Sequence, residues 1–328
     1  MTVPVDLVTG GAGFIGAHLV TRLVHEGRRV RVVDDLSTGM LDRLAPVRGS
    51  IELVRADLAA ADLTPIVAGA ERVFHLAAIP SVPRSVRDPL TTHHASATAT
   101  LRLLLACRDA GVGRVVLSSS SSVYGDSEVS PKHEGLATKP LSPYAVAKLA
   151  AEGYARVFAS LHGLGTVTLR YFNVFGPWQD PASAYAAVIP LFITRAIRGE
   201  PLPVFGDGTQ TRDFTYVDNV VEANLKAAAA EVPGGRVYIS PAERRTASPM
   251  SWLPYPRSPG ASLPSTTGHL DLVTSFTRTP MCQPRRASCR GVRACPSRRA
   301  YGERSSGTDS GSDPGRWGAF ASPVSSPA

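Results

Sequence analysis

Tyr144 and Lys148, in the stretch Pro143-Tyr144-Ala145-Val146-Ala147-Lys148, have the types and spacing of a proton-transfer pair. On a helix an i,i+4 spacing sets both side chains on one face. A phenol with its ordinary pKa near 10 is a poor base at neutral pH. Bringing it to about 7 takes roughly 4 kcal/mol of preferential stabilisation of the phenolate, which a nearby ammonium and a second positive charge can supply. A Tyr-x3-Lys pair also occurs on ordinary amphipathic helices, so its weight depends on what precedes it.

What precedes it is Thr9-Gly10-Gly11-Ala12-Gly13-Phe14-Ile15-Gly16, which follows a short apolar strand and opens a helix with Phe14, Ile15, Leu19 and Leu23 along one face. Glycines there permit a tight turn, close approach of backbone to a pyrophosphate, and close helix–strand packing, with the phosphate on the helix N-terminus. The second strand ends in Val32-Val33-Asp34-Asp35, 24 residues after Gly10. An acid there accepts hydrogen bonds from adenosine ribose hydroxyls and repels a 2′-phosphate, so the expected cofactor is NAD rather than NADP. Asp57, in Arg55-Ala56-Asp57-Leu58 after the third strand, is placed to meet the adenine edge.

These residues need a scaffold, and the chain up to about Ser240 alternates apolar β-rich runs with helical stretches. That order predicts an α/β fold, a Rossmann-type doubly wound parallel sheet covered on both faces. Strands are expected at Val5–Val8, Val30–Val33, Ile51–Val54, Val73–His75, Val115–Leu117 and Thr166–Leu169, with helices at Ala17–Glu26, Thr98–Ala110 and Pro143–Leu161. From Asn173 the alternation loosens around Phe-Gly-Pro-Trp-Gln-Asp-Pro and Gly-Asp-Gly-Thr, before a helix at Asp218–Ala230. The expected organisation is an NAD-binding domain over 1–172, a smaller, incomplete substrate lobe over 173–239, and a tail over 240–328.

Composition separates the tail from the rest. Residues 241–328 hold 12 Pro, 15 Ser and 12 Arg but only nine Leu, Ile, Val and Phe together, too few to offset ordering entropy, and are expected to be mostly disordered. With no Lys and five acidic residues, this segment carries seven of the chain's eight net positive charges. The basicity therefore does not argue for nucleic acid binding by the folded part, and the tail lacks the aromatic interleaving and amphipathic repeat of a nucleic acid or membrane binder. The N-terminus shows no targeting pattern, and no run reaches the roughly 18 apolar residues of a membrane span, so a cytoplasmic location is expected. Cys107, Cys282, Cys289 and Cys295 lack the short pairing of a zinc site and read as free thiols; no metal is expected.

The glycine-rich turn, Ser118 to Ser122 followed by Val123-Tyr124-Gly125, and Tyr144/Lys148 together resemble the extended short-chain dehydrogenase/reductases, and specifically the NAD-dependent epimerase/dehydratase family, over about residues 3–239. The resemblance implies that Tyr144 is the acid/base, that Lys148 holds the nicotinamide ribose and lowers the tyrosine pKa, and that Ser120 hydrogen-bonds the substrate oxygen, with Ser119 and Ser121 as alternatives. It also implies cofactor contacts from Phe14, Ile15, Leu58, Leu76, Ala77, Ala78 and Tyr171 beside Gly10, Gly13, Gly16, Asp34, Asp35 and Asp57.

Within that family the chain resembles 4-epimerases of UDP-glucose and UDP-N-acetylglucosamine in Val33 to Gly39, Phe74 to Ala78, Arg170 to Pro177 and Gly206 to Phe214. By that analogy Asn173 and Arg212 contact the UDP diphosphate, Phe205 packs on the uracil, and Val188 belongs to the substrate set. As bare residues Asn173, Arg212 and Phe205 read equally as a loop cap, a surface cation and a core ring. The stretch Gln179 to Pro190 resembles the subgroup that accepts N-acetylated UDP-hexoses. Related dehydratases carry an Asp-Glu pair where this chain has Ser121 and Ser122, which leaves redox-neutral epimerisation as the expected chemistry, dehydration or a catalytically impaired NAD-binding protein being the alternatives. Relatives form dimers through helix pairs that include Pro143–Leu161. Two departures stand out: Ser96 replaces an expected Asn, and the family pattern ends after Val237-Tyr238, which is read as a shift of reading frame near residue 239.

Overall fold

The computed structural model describes residues 4–180, 188–202 and 213–240. Within them the chain runs β1 (Val5–Thr9), α1 (Phe14–His25), β2 (Arg29–Asp34), β3 (Ile51–Arg55), α2 (Thr64–Val67), β4 (Ala70–His75), α3 (Val82–Arg87), α4 (Pro89–His93), α5 (Ala99–Asp109), β5 (Arg114–Ser120), α6 (Pro143–His162), β6 (Thr166–Tyr171), β7 (Val174–Phe175), α7 (Val188–Ile197), β8 (Thr215–Tyr216), α8 (Val217–Ala229) and β9 (Arg236–Ile239). Seven strands form one sheet in the order β3-β2-β1-β4-β5-β6-β9, and every neighbouring pair is parallel. The order reverses between β1 and β4. At such a point the crossovers leave the sheet in opposite directions and open a crevice at the carboxyl ends of the strands.

Strand side chains alternate between two cores, as a sheet covered on both faces requires. Leu7, Val33, Val73, Val115 and Leu117 pack with Leu103, Leu104 and Phe158 of α5 and α6, whereas Val8, Val32, Phe74, Val116 and Val167 pack with Leu19, Leu23 and Val220 of α1 and α8. Both layers are buried, so the strand ends sit on a rigid platform.

Helix ends follow local chemistry. The α6 helix starts at Pro143, whose missing N–H costs nothing in a first turn, and Ser142 Oγ accepts from Ala145 N at 3.2 Å; it stops at Gly163, φ +67°. By contrast, α1 begins after Gly13, which offers its first-turn amides no side-chain acceptor. It also begins three residues before the expected Ala17, because its first turn is the end of the glycine-rich loop itself. The strand β9 was not expected: its four residues alternate exposed and half-buried at a sheet edge, too short a pattern to stand out. The expected disorder and reading-frame change fall on residues outside those described.

Candidate active site

The crevice at the strand order reversal is a cavity of about 1140 Å³. The glycine-rich turn forms its floor. Gly10 has φ +69°, and a Cβ there would lie 2.7 Å from Ala77 N; a Cβ on Gly16 would lie 2.1 Å from Gly10 O. Only hydrogen fits at either position, so β1, the turn, and the backbone after β4 close on one another. The uncapped first turn of α1 then aims its amides into the cavity, the arrangement that binds an anionic phosphate. Phe14, Ile15, Gly13, Leu76, Ala77 and Ala78 line the same cavity.

Asp34 closes β2 and holds the turn in place. Its Oδ2 accepts from Ala12 N and its Oδ1 from Leu36 N, both at 2.9 Å. Burial raises its pKa above the ordinary carboxylate value, and the two amides oppose that. A carboxylate offers about four acceptor positions, so Asp34 keeps capacity for ribose hydroxyls. Asp35 is exposed and accepts from Ser37 N at 2.8 Å and Ser37 Oγ at 2.7 Å. Asp57 accepts from Ala59 N at 2.8 Å and faces His94 Nε2 at 3.9 Å. All three acids line the cavity, with Leu58 beside Asp57.

The opposite wall carries the proton-transfer pair. Tyr144 stands on the first turn of α6 beside Ser120 at the end of β5; burial raises the phenol pKa and the Ser120 hydroxyl lowers it. Of the three candidate serines, Ser120 is thus the one paired with Tyr144, and its Oγ lies 2.9 Å from Ser122 Oγ. Ser119 donates to Glu152 Oε1 at 2.5 Å instead. One turn along α6, Lys148 is buried and donates to Ser118 O at 2.9 Å and Ser118 Oγ at 3.2 Å. Burial pulls its pKa down to about 8, which the Glu152 carboxylate resists. The ammonium therefore titrates close to neutrality.

Tyr171 and Asn173 also reach the cavity. Asn224 anchors the Tyr171 hydroxyl with Nδ2 at 2.8 Å, and Asn173, at φ +29°, donates Nδ2 to Asp213 O at 2.8 Å. Val188 opens α7 and is not among the cavity-lining residues, and Phe205 and Arg212 lie outside the described residues. Ser96 is buried in a π-helical turn, His94–Thr98, between the cavity-lining Ala95 and Ala99.

Several cavity residues were missed from sequence. Arg43 is buried, donates Nη1 to Ala12 O at 3.3 Å, and faces Asp34 and Asp180 electrostatically. Gln179 donates Nε2 to Val174 O at 3.1 Å, while Trp178 stacks on His18 of α1 at 4.6 Å, so the segment after β7 lies against the first turns of α1. Arg43 sits in a 3-10 helical stretch, Leu41–Ser50, and the other segment in irregular backbone, so neither α nor β periodicity marks an inward side chain.

A parallel sheet with a glycine-rich turn at its order reversal, facing a Ser–Tyr–Lys set, defines a dinucleotide-dependent enzyme of the short-chain dehydrogenase/reductase type. The model of the NAD dependent epimerase/dehydratase family matches residues 7–239, and the chain belongs to that family. It is 42% identical to a UDP-glucose 4-epimerase of Mycolicibacterium smegmatis over 235 residues, covering 70% of this chain and 75% of that protein. Among solved structures, the UDP-N-acetylglucosamine 4-epimerase from Methanobrevibacter ruminantium M1, in complex with UDP-N-acetylmuramic acid, matches with TM-score 0.70 and 42% identity over 73% of this chain and 76% of that one. The dTDP-glucose 4,6-dehydratase DesIV from Streptomyces venezuelae, with NAD bound, matches with TM-score 0.65 and 33% identity over 72% of this chain and 74% of that one. The cofactor is NAD. The side-chain-free cradle at Gly10 and Gly16, the uncapped α1 and the acid at the end of β2 fit it.

Proposed function

We propose that this chain inverts C4 of a UDP-hexose, UDP-glucose or UDP-N-acetylglucosamine, through a transient 4-keto sugar. The observation that carries the reading is the pairing of Tyr144 with Ser120 across the cavity from the glycine-rich turn, in a serine loop without acids. Bound NAD supplies the reversible two-electron oxidation of C4. Ser120 orients the C4 oxygen, and Tyr144 takes its proton and later returns it. Lys148, held by Ser118, presents a buried ammonium beside them, which favours the phenolate and holds the nicotinamide ribose. Gly10, Gly13 and Gly16 hold the pyrophosphate, Asp34 and Asp35 the adenosine ribose, and Asn173 the UDP diphosphate.

Ser121 and Ser122 bear on the choice between epimerisation and dehydration. Eliminating water from the sugar calls for an acid and a base near the leaving oxygen, and two serine hydroxyls supply neither. The likeness to a dehydratase at 33% identity keeps that chemistry as the second reading. Incubating the protein and NAD separately with UDP-glucose and UDP-N-acetylglucosamine discriminates. C4 epimers are expected, whereas release of a 4-keto-6-deoxy sugar without epimer would overturn the assignment. We also propose that two copies pair through α6, whose outer side exposes Val146, Val157 and Leu161, a reading that sedimentation at a monomer's mass would reject.

A further inference from the structure

The helix that carries Tyr144 and Lys148 also buries a carboxylate that the proposed chemistry does not use. Glu152 lies one turn beyond Lys148 on α6, with its side chain 4% exposed, and its partner Arg170 on β6 is 6% exposed. Arg170 donates Nε to Glu152 Oε1 at 2.9 Å and Nη2 to Oε2 at 2.6 Å. Its remaining nitrogen, Nη1, donates to the Tyr124 hydroxyl at 2.8 Å, and Ser119 adds its own donor to Oε1 at 2.5 Å. Taking two ions out of water carries a penalty of several kcal/mol each, and a packed apolar pair of the same volume is often as stable or more so. Core stability is therefore a weak reason for this pair, and its location offers a stronger one.

Ser119 and Arg170 stand opposite each other in the β5–β6 ladder, so Glu152 clamps α6 onto both strands at once. Three consecutive serines of β5 meet three successive turns of α6: Ser120 meets Tyr144, Ser118 meets Lys148 and Ser119 meets Glu152. A slip of α6 by one turn, about 5.4 Å, would break all three contacts together. We propose that Glu152, gripped by Arg170 and Ser119, is a positioning residue for Lys148: its buried carboxylate fixes α6 on the strand ends and supplies the negative field that keeps the Lys148 ammonium charged. This inference rests on the proposed role of Lys148 as a cofactor contact.

The surroundings of Lys148 leave that field to Glu152. The phenol of Tyr144, on the same helix, is kept protonated by burial. His75, from β4, is neutral because burial holds its pKa down to about 3. Ser118 from β5 is uncharged, and Arg170 from β6 is a cation gripped by both Glu152 oxygens, which offsets part of the carboxylate's field at Lys148. Burial alone pulls Lys148 downward, and Glu152 is the group that resists it.

The test is the NAD dissociation constant of the full chain, measured by calorimetry from about pH 6 to about pH 10. Wild-type affinity is expected to fall as pH rises through about 8, where the ammonium is lost. Glu152→Asp, which keeps the charge, should keep that midpoint. The double variant Glu152→Met/Arg170→Met removes both ions of the pair together, leaving Ser119 Oγ without its acceptor and Lys148 without its counter-charge; it should remain folded, yet its midpoint should fall by about one pH unit, a roughly fivefold loss of affinity at the wild-type midpoint. A wild-type midpoint in the double variant overturns the proposal and leaves the pair a filler of the core. Lys148→Met separates the underlying reading: if it keeps the pH step, the assignment of Lys148 fails, and the proposal with it. Loss of the step there, with no shift in the double variant, sinks the role of Glu152 alone.

Discussion

At the scale of single residues, the proposed chemistry concentrates on one hydroxyl. The Tyr144 oxygen is the group proposed to exchange a proton with a sugar, and Ser120, whose Oγ accepts from Ser122 Oγ at 2.9 Å, is only half-buried. In Tyr144→Phe the Ser120 hydroxyl can therefore turn to solvent. Its expected signature is a fall in kcat of about 10²–10⁴-fold, with melting temperature and NAD affinity near wild type; epimer formation within threefold of wild type would remove Tyr144 from the acid/base role. The sequence made Tyr144 and Lys148 visible because an i,i+4 pair after a glycine-rich turn is a local pattern. It favoured Ser120 by family resemblance alone, with Ser119 and Ser121 as alternatives. Only the pairing of Ser119 with Glu152, 33 residues away in sequence, separates them.

At the scale of elements, the cofactor floor depends on backbone proximity. A Cβ on Gly16 would meet Gly10 O at 2.1 Å and Gly11 Cα at 2.8 Å, main-chain atoms that cannot rotate aside. Gly16→Ala is expected to destabilise the turn by about 1–3 kcal/mol and to weaken NAD binding at least fivefold. Gly153 supplies the contrast, since a Cβ there meets nothing within 4 Å on α6. Gly153→Ala should stabilise the protein by about 0.5–1 kcal/mol. If thermal unfolding and NAD titration show both substitutions to be neutral, the close packing of α1 on β1 is not what binds the cofactor. Most of these elements were legible: six strands and the main helices appear in the sequence within a few residues, because strands buried on both faces read as continuous apolar runs. β7, β8 and β9 were not, being two to four residues long.

At the scale of the whole molecule, charge and site are separated along the chain. Among the described residues, those that line the cavity lie between Gly10 and Asp180, whereas seven of the eight net positive charges lie beyond Ser240. A chain ending at Ser240 keeps β9 and is expected to bind NAD within about threefold of the full chain at moderate salt, where screening limits the reach of net charge to about 10 Å. A tenfold loss would show that residues 241–328 contribute to the cofactor site. The sequence by itself determined the sheet, the position of the glycine-rich turn at its first crossover, and the Tyr–Lys pair, because each is written in local periodicity or short spacing. Tertiary structure decided which serine faces Tyr144, that Asp34 braces the turn as well as lining the cavity, that Arg43 lines the same cavity, and that Glu152 and Arg170 pair behind Lys148. Those are contacts between residues far apart in the chain. Their energies depend on burial and on the direction of each side chain, which follow only once the strands are ordered and α6 is seated on them.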